Sequence, residues 1–537
     1  MGDIKSKSPA GEIAAIALVI GIGLWSVWPA VVRPGGVADY GKDGVLLIWI
    51  MNQTINRLPS GVISGGGKGL FDGNIFYPYK HVLAYSELQM VSALWAWLPV
   101  KLTGNPAVAA GTVMVLGQVL TMAVVYGWWR KMTGNRWAAA AGAVALGMSQ
   151  VRWHYQVHLQ MWSMQYWLAG VWLVSSWTAD KKTWKLYTGV TLLGVQAWES
   201  ILPVYFALVV LSAQYSVLKI RLPINKILTG GLLFGMVAFS PLRAYWAVSR
   251  EMGFVRTIRD AAHGGMSVNE LGERFASPGL YVLLAVSLLI IFNQIQRSKY
   301  KKDSLWLGIV LIISLVMAMG PVLKWQDKTV KIGGRYPVPL PYAAAYYLVP
   351  GIQAFRVPSR WLWVSAWAAS GLIALSLKSF QSNPNLKIRK IIGMFGVMAV
   401  AVTGGTRLTN YRNLLKPAEY PAVYRWLGKQ PGKVIVELPA GDENIEPDRM
   451  LYSLKHGKYL LNGYSGFVPP EREKLLEKLN QEWPSPETDA LLRNIGVDYV
   501  IVNKLMTNFK FSIFNQIPNL NNVIILYDDE NNRVYKL

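Results

Sequence analysis

Residues 106–136 read PAVAAGTVMVLGQVLTMAVVYGWWRKMTGNR, an apolar stretch long enough to cross a bilayer, followed by a short basic loop. The same alternation recurs along the chain. Basic clusters at every second gap between apolar stretches comprise Lys5/Lys7, Arg130/Lys131/Arg136, Lys181/Lys182/Lys185, Lys219/Arg221/Lys226, Arg297/Lys299/Lys301/Lys302 and Lys378/Lys387/Arg389/Lys390. Because short positive loops stay in the cytoplasm, the long loops between them and the polar C-terminal region are expected outside.

The composition is that of a polytopic membrane protein. Of the 537 residues, 52% are hydrophobic and only 16% are charged, and the 23 Trp and 26 Tyr suit the headgroup belts of a protein with many spans. The short basic loops explain much of the net charge of +24, so a nucleic-acid partner is not expected. The chain has no cysteine, which excludes disulfides and thiolate metal sites.

Hydropathy predicts a mainly α protein with about eleven membrane-spanning helices. The predicted spans are 12–32, 106–128, 137–152, 163–178, 186–200, 201–218, 227–246, 279–294, 305–323, 361–378 and 390–405. An odd number of spans places the two termini on opposite sides of the inner (plasma) membrane. With the basic loops inside, the N-terminus is in the cytoplasm and the C-terminus is outside. Residues 88–100 are predicted to lie at the outer interface as a helix, because a span there would invert every later basic loop; residues 44–58 are read in the same way.

Hydropathy falls after residue 405. The strand-like runs 434–438, 499–502 and 523–527 and a helical stretch at 470–482 predict a small α/β domain there. The chain is therefore expected to comprise a transmembrane domain with outer loops, residues 1–405, and an extracytoplasmic domain, residues 406–537.

Four carboxylates in or near the predicted outer loops are candidates for catalysis. Asp43 begins the predicted 44–58 helix, where the helix dipole stabilises a carboxylate, and a simple helix-capping role is its alternative. Asp39 is a weaker candidate. Glu87 begins the 88–100 helix and is equally typical of a first-turn acid. Glu199 lies between two apolar stretches with almost no loop, a depth at which ionisable residues are often functional, although a snorkelling Glu fits too.

The loop at 151–162 holds the densest group of polar side chains near the membrane. His154 and His158 have the spacing of one helix face, which suits a two-histidine metal pair, but no third ligand is evident. A zinc-protease motif is excluded because Tyr155 stands where it needs Glu. His158 and Gln160 are better candidates for hydrogen bonding to a sugar or phosphate, or for general-base work.

Two further motifs bear on phosphate binding. The glycine-rich residues 64–69 lack the spacing of a Walker A loop and are interpreted as a flexible surface loop. Arg356 and Arg360 precede a predicted span, and guanidinium groups there suit bidentate binding of a lipid phosphate. Anchoring at the membrane interface is the alternative for both arginines.

The order of elements resembles the GT-C class of membrane glycosyltransferases, which includes the aminoarabinose transferases and protein O-mannosyltransferases. Specific strings are similar to a large bacterial branch of that class without pointing to a substrate. They are FDGNIFYP at 71–78, LAYSE at 83–87, HLQ at 158–160, PGIQAFRVPSR at 350–360 and LNGYSGF at 461–467.

This resemblance implies an inverting transferase of the hexosyltransferase type, which moves a sugar from a polyprenyl-phosphate donor to a glycan, lipid or protein acceptor at the outer membrane face. It implies that Asp43 is the base and that Arg356 or Arg360 stabilises the departing phosphate. His158 and Gln160 stand where relatives usually bring a second carboxylate, so a metal-assisted mechanism is not expected. The partners are the lipid-linked donor, the acceptor and membrane lipids, without a cofactor.

Two other classes stay open. A transporter or flippase for a lipid-linked glycan would explain the many spans and Glu199, but paired inverted repeats are not found in the sequence. A noncatalytic membrane scaffold would explain the scarcity of carboxylates.

Overall fold

The computed structural model describes residues 9–38, 42–57, 69–275, 301–380, 408, 410–505 and 524–537. The chain forms two compact units. The first unit comprises Met1–Val32, Met114–Phe239 and Phe254–Thr409, and the second comprises Arg33–Val113, Ser240–Gly253 and Asn410–Leu537. The spans predicted at 279–294 and 390–405, Asp39 and most of the glycine-rich loop lie outside the described residues, so the division at residue 405 stays a prediction.

The first unit is helical, and helices occur at every predicted span that falls on described residues. Two of them, Val108–Thr133 and Ile224–Met252, contribute residues to both units. The others are Pro9–Ser26, Trp28–Val32, Arg136–Gly147, Gln150–His154, Leu159–Trp162, Gln165–Asp180, Thr183–Ala197, Leu202–Leu218, Ile258–Gly264, Leu271–Arg274, Lys301–Ala318, Pro341–Leu348 and Leu362–Phe380. Four two-residue strands, β2 to β5, form two small hairpins at Lys324–Trp325, Lys328–Thr329, Lys331–Ile332 and Tyr336–Pro337.

Four of the described helical segments are long and apolar enough to cross a membrane: Pro9–Ser26, Val108–Thr133, Ile224–Met252 and Pro358–Lys378. Leu202–Leu218 is apolar but shorter. Membrane association is therefore supported by the structure, whereas the count of eleven spans stays a prediction.

Tryptophan builds much of the first unit's core. Trp129 and Trp367 are fully buried with ring centroids 5.5 Å apart, and Trp306 lies 5.8 Å from Trp367. The Trp129 indole also donates to Ser370 Oγ at 3.1 Å. The expectation that tryptophan serves headgroup belts is thus wrong for these side chains, because large rings also fill the space between packed helices.

The second unit contains a mixed five-stranded sheet. Its order is β10 (Ile524–Asp528), β11 (Asn532–Lys536), β9 (Tyr499–Asn503), β7 (Val434–Leu438) and β8 (Tyr459–Leu460). Strand β7 is parallel to β8 and β9, while β9, β11 and β10 are antiparallel neighbours. All three predicted strands are confirmed within a residue or two.

Helices cover this sheet. Val436 and Leu438 on one face of β7 pack against Leu476 and Leu479 of the helix Pro470–Glu482, whose predicted bounds are confirmed. On the other face Glu437 points toward Arg449 of the helix Glu446–His456. The remaining helices of the unit are Lys42–Arg57, Met90–Thr103, Ala422–Leu427 and Pro486–Ile495.

Segments from residues 33–105, the predicted first outer loop, complete the second unit. Strand β1 (Gly36–Ala38) pairs antiparallel with β6 (Tyr411–Asn413). Residues 74–77 run along the edge strand β8: Leu460 N–H donates to Asn74 O at 2.7 Å, and Tyr77 N–H donates to Leu460 O at 3.0 Å. An added segment of this kind satisfies backbone groups that a sheet edge would otherwise expose. The outer loop and the C-terminal region therefore fold together.

Candidate active site

Asp43 lies in the first turn of the helix Lys42–Arg57, as predicted, and is half-buried. The start of this helix packs closely against β1: a Cβ added at Gly44 would lie only 2.6 Å from Val37 Cγ2. On another side the Tyr464 hydroxyl donates a hydrogen bond to Asp43 Oδ1 at 2.8 Å. Next to Asp43, Lys42 forms an ion pair with Glu443 and lies 5.6 Å from the centre of the Tyr464 ring. The candidate base thus accepts a hydrogen bond from one residue of the C-terminal region, Tyr464.

The loop that carries Tyr464 is fixed at both ends. Asn462 is fully buried; its amide donates to Glu437 O at 2.8 Å, and its Oδ1 accepts from Glu437 N–H at 2.7 Å. Gly463 has φ 150°, and a Cβ there would meet Ile75 Cβ at 2.8 Å. At the far end Phe467 N–H donates to Tyr85 O at 3.0 Å. These contacts join the strings at 71–78, 83–87 and 461–467, so three of the five strings that carry the family resemblance form one framework.

Asn74 is the polar centre of this framework. Its Oδ1 accepts from Trp49 Nε1 at 3.0 Å and from Gln53 Nε2 at 2.7 Å, both on the helix that begins at Lys42. Its amide nitrogen donates to Ser453 Oγ and to Lys458 O, each at 3.0 Å. A single buried amide therefore connects the helix of the candidate base to the C-terminal region.

A buried ionic cluster lies behind Asn462. Arg449 contacts Glu446 Oε1 at 3.0 Å and Glu437 Oε2 at 3.3 Å, and the Tyr424 hydroxyl donates to Glu437 Oε2 at 2.7 Å. Burial raises the pKa of Glu437 to about 7, against the lowering effect of Arg449 and Tyr424. Asn462 also donates to Glu446 Oε1 at 2.9 Å. The cluster therefore holds Asn462, which lies just after β8 at the start of the Tyr464 loop.

Glu87, also in the second unit, is placed differently from the prediction. The helix that follows begins at Met90, with Gln89 as its N-cap, so Glu87 precedes the helix instead of forming its first turn. It follows the 3₁₀ helix Val82–Tyr85 and Ser86, whose carbonyl accepts from the Tyr245 hydroxyl at 3.3 Å. The left-handed backbone of Gln89, φ 49°, delays the start of the helix.

In the first unit the polar loop at 151–162 is organised around Tyr155. The Tyr155 hydroxyl bonds to Ser359 Oγ at 3.0 Å, and both side chains are buried. The rings of His154 and His158 lie 4.9 Å and 6.0 Å from the Tyr155 ring. Burial raises the pKa of the Tyr155 hydroxyl, while the Ser359 bond and the charge of Arg360 lower it. The structure thus brings two predicted regions, 154–160 and 356–360, together at Tyr155.

The expected single helix face for His154 and His158 is not formed. His154 ends the short helix Gln150–His154, which Ser149 caps, and His158 precedes the next helix, Leu159–Trp162. Burial lowers the pKa of His154, which favours its neutral form. Gln160 is buried in the second of these helices. Among the described residues, no three His, Cys, Asp or Glu side chains are grouped so that they could hold a metal ion.

Arg356 and Arg360 sit on a segment that is fixed by its neighbours. Ser359 bonds to Tyr155, and Trp361 packs on Phe206 with ring centroids 4.6 Å apart, so the backbone on each side of Arg360 is buried. Arg356 is exposed, and its carbonyl lies where a Cβ at Gly264 would fall. Two effects lower the pKa of Arg256. Burial is the larger one, and the positive charge of Arg356 is the second. No sequence motif marks Arg256.

Glu199, also in the first unit, is fully buried in the turn between Thr183–Ala197 and Leu202–Leu218. A snorkelling side chain would reach solvent, so the burial argues against that alternative. A role for Glu199 stays a prediction.

Proteins of known structure have a similar fold. The oligosaccharyltransferase AglB from Archaeoglobus fulgidus, solved with an inhibitory peptide and a dolichol-phosphate, matches with a TM-score of 0.52 and 10% identity over 92% of this chain and 69% of that chain. The arabinofuranosyltransferase AftD from Mycobacteria matches with a TM-score of 0.55 and 13% identity; the match covers 99% of this chain and 40% of AftD. The chain has the GT-C fold. At these identities the GT-C likeness concerns the fold alone. No family model and no curated protein matches the sequence.

Proposed function

We propose that this protein is an integral membrane glycosyltransferase that moves a sugar from a polyprenyl-phosphate donor to an extracytoplasmic acceptor. The observation that carries the proposal is the placement of Asp43: in a chain with the GT-C fold, this carboxylate is half-buried at a helix start and receives the Tyr464 hydrogen bond. AglB, with the same fold, has been solved with a dolichol-phosphate, which supports a lipid-linked donor.

In the proposed reaction the acceptor hydroxyl oxygen bonds to the anomeric carbon of the sugar while the bond from that carbon to the phosphate oxygen breaks. The electron pair of the broken bond stays on the phosphate, and the acceptor proton moves to Asp43. Attack opposite the leaving group inverts the anomeric configuration. A positioned general base contributes about 10²–10⁴-fold to such a step.

The departing polyprenyl phosphate needs positive charge. Arg360, fixed between Ser359 and Trp361, and the exposed Arg356 are proposed to supply it through bidentate hydrogen bonds. His158 and Gln160 are proposed to hydrogen-bond the sugar or phosphate. Glu87 and Glu199 are the described carboxylates to which the base role would pass if Asp43 were dispensable.

The proposed location is the inner (plasma) membrane, with the N-terminus in the cytoplasm and the domain after residue 405 outside. The basic loops support this orientation through the positive-inside rule. The lipid-linked donor, the acceptor and membrane lipids are the proposed partners.

The experiment is transfer of radiolabel from a polyprenyl-phosphate sugar in membranes that contain the wild type or Asp43→Asn. Asparagine keeps the size and the hydrogen bonding but removes basicity, so transfer should fall by about 10²–10⁴-fold at unchanged protein level. Glu471→Gln is the matched control, because Glu471 is an exposed first-turn acid of another helix in the same unit. Near-normal transfer by Asp43→Asn would remove Asp43 from the base role.

A further inference from the structure

We propose that Tyr464, from the C-terminal domain, is a positioning residue for the catalytic base Asp43. The inference rests on the proposed function, since it assigns a role within that site. The direct observation is the hydrogen bond from the Tyr464 hydroxyl to Asp43 Oδ1 at 2.8 Å. A hydroxyl donor on one carboxylate oxygen restricts rotation of the carboxylate, and a base must be aligned with the proton that it accepts.

Tyr464 is suited to this role because several contacts fix the backbone on which it lies. Its backbone N–H lies 3.1 Å from Met450 Sδ, on the helix Glu446–His456. Asn462, two residues earlier, is held by Glu437 and Glu446, and Gly463 packs against Ile75 without room for a Cβ. A phenol on a mobile loop would lose entropy each time it bound Asp43, whereas this one is held ready.

The loop is also fixed relative to the helix that carries Asp43. Asn74 bonds to Trp49 and Gln53 of that helix, and Phe76 N–H donates to Asn462 O at 3.0 Å. The base and its hydroxyl partner are therefore attached to one hydrogen-bonded framework of the second unit. Orientation of this kind acts on the chemical step more than on substrate binding.

The test is a double-mutant cycle on transfer by the full-length protein, with a radiolabelled polyprenyl-phosphate sugar. Tyr464→Phe removes only the hydroxyl, so kcat should fall about tenfold with KM for the donor unchanged, as expected for loss of one hydrogen bond to a charged group. In an Asp43→Ala background the same substitution should change kcat by less than about twofold, because the residue acts through Asp43.

Two controls separate positioning from stability. Glu443→Gln breaks another contact of the C-terminal region with the same helix start, the exposed ion pair with Lys42, and should leave kcat within about twofold. Tyr499→Phe removes a comparable hydroxyl bond, to Pro431 O at 2.7 Å, elsewhere in the domain. A fall in kcat with either control equal to that of Tyr464→Phe would show a merely structural effect and overturn the inference.

The outcomes distinguish this inference from the proposed function. If Asp43→Ala keeps wild-type turnover, the base assignment fails and the inference fails with it. If Asp43→Ala lowers kcat while Tyr464→Phe keeps the wild-type kcat, or if the two losses add fully in the double variant, the positioning role alone is refuted.

Discussion

Asn74→Asp tests whether residues 74–77 and the C-terminal region are joined as the structure shows. The two side chains have the same shape, but the carboxylate cannot donate. The Lys458 carbonyl, 3.0 Å away, loses its donor, while Ser453 can turn its hydroxyl toward the new oxygen. The Trp49 and Gln53 donors keep an acceptor.

The expected cost follows from burial. Asn74 is 8% exposed, so the substitution leaves a buried carbonyl unpaired, at about 1–3 kcal/mol, and adds a charge that must be desolvated. Stronger bonds from Trp49 and Gln53 offset part of this, so a net loss of about 2–4 kcal/mol is expected in the local opening free energy. The exchange protection of the Phe76, Tyr77 and Leu460 amides should then fall by about 30- to 900-fold.

The assay is hydrogen exchange of the purified protein in detergent, read by mass spectrometry at these three amides. Asn413→Asp, exposed on β6, is the control and should leave the protection unchanged. Protonation of the new carboxyl group restores a donor to the Lys458 carbonyl, so the loss should shrink as the pH is lowered. Unchanged protection in Asn74→Asp at neutral pH would refute the proposed framework.

Three further outcomes are expected. If Arg356 or Arg360 binds the donor phosphate, donor affinity should fall in the order Arg, Lys, Gln at that position. The Arg335→Gln variant, changed at an exposed position, is the control and should bind the donor normally. Equal tolerance of Lys at Arg356 and Arg360 would favour interface anchoring. The pKa of Glu437 is about 7 in the folded protein, against 4.5 for an ordinary Glu carboxyl group. The folded state is therefore stabilised by the protonated form. This stabilisation is fully present below pH 4.5 and is lost as the pH rises through 7. Thermal unfolding should therefore show the wild type losing up to about 3 kcal/mol relative to Glu437→Gln between pH 5 and 8, and parallel pH curves would contradict this cause. Alkaline phosphatase fused after Leu537 should be active, whereas fluorescence of a protein that folds only in the cytoplasm would contradict the predicted orientation.

Sequence patterns were sufficient for elements whose signal is local. Apolar length located the helices, and short continuous runs of β-branched residues located β7 and β9. The helices Glu446–His456 and Pro486–Ile495 are polar and escaped a search for apolar runs, although a proline in the first turn and a glycine C-cap mark both.

The sequence did not predict which segments of the framework contact one another. Asn74 meets Ser453 across 379 positions, and no local periodicity encodes such a contact. For the same reason Asp43 was recognised as a helix-start carboxylate, but its partner Tyr464, 421 positions away, was not. The string LNGYSGF at 461–467 signalled that the segment matters, and the structure shows what its Asn, Gly and Tyr contact.

In the proposed reaction the sugar comes from a lipid carrier. The most direct measurement supplies membranes containing the protein with a panel of radiolabelled polyprenyl-phosphate sugars and, separately, with nucleotide sugars. We expect transfer from a lipid-linked sugar, with stoichiometric release of polyprenyl phosphate, and no transfer from a nucleotide sugar. Transfer from the nucleotide sugar, or no release of polyprenyl phosphate with any member of the panel, would contradict it.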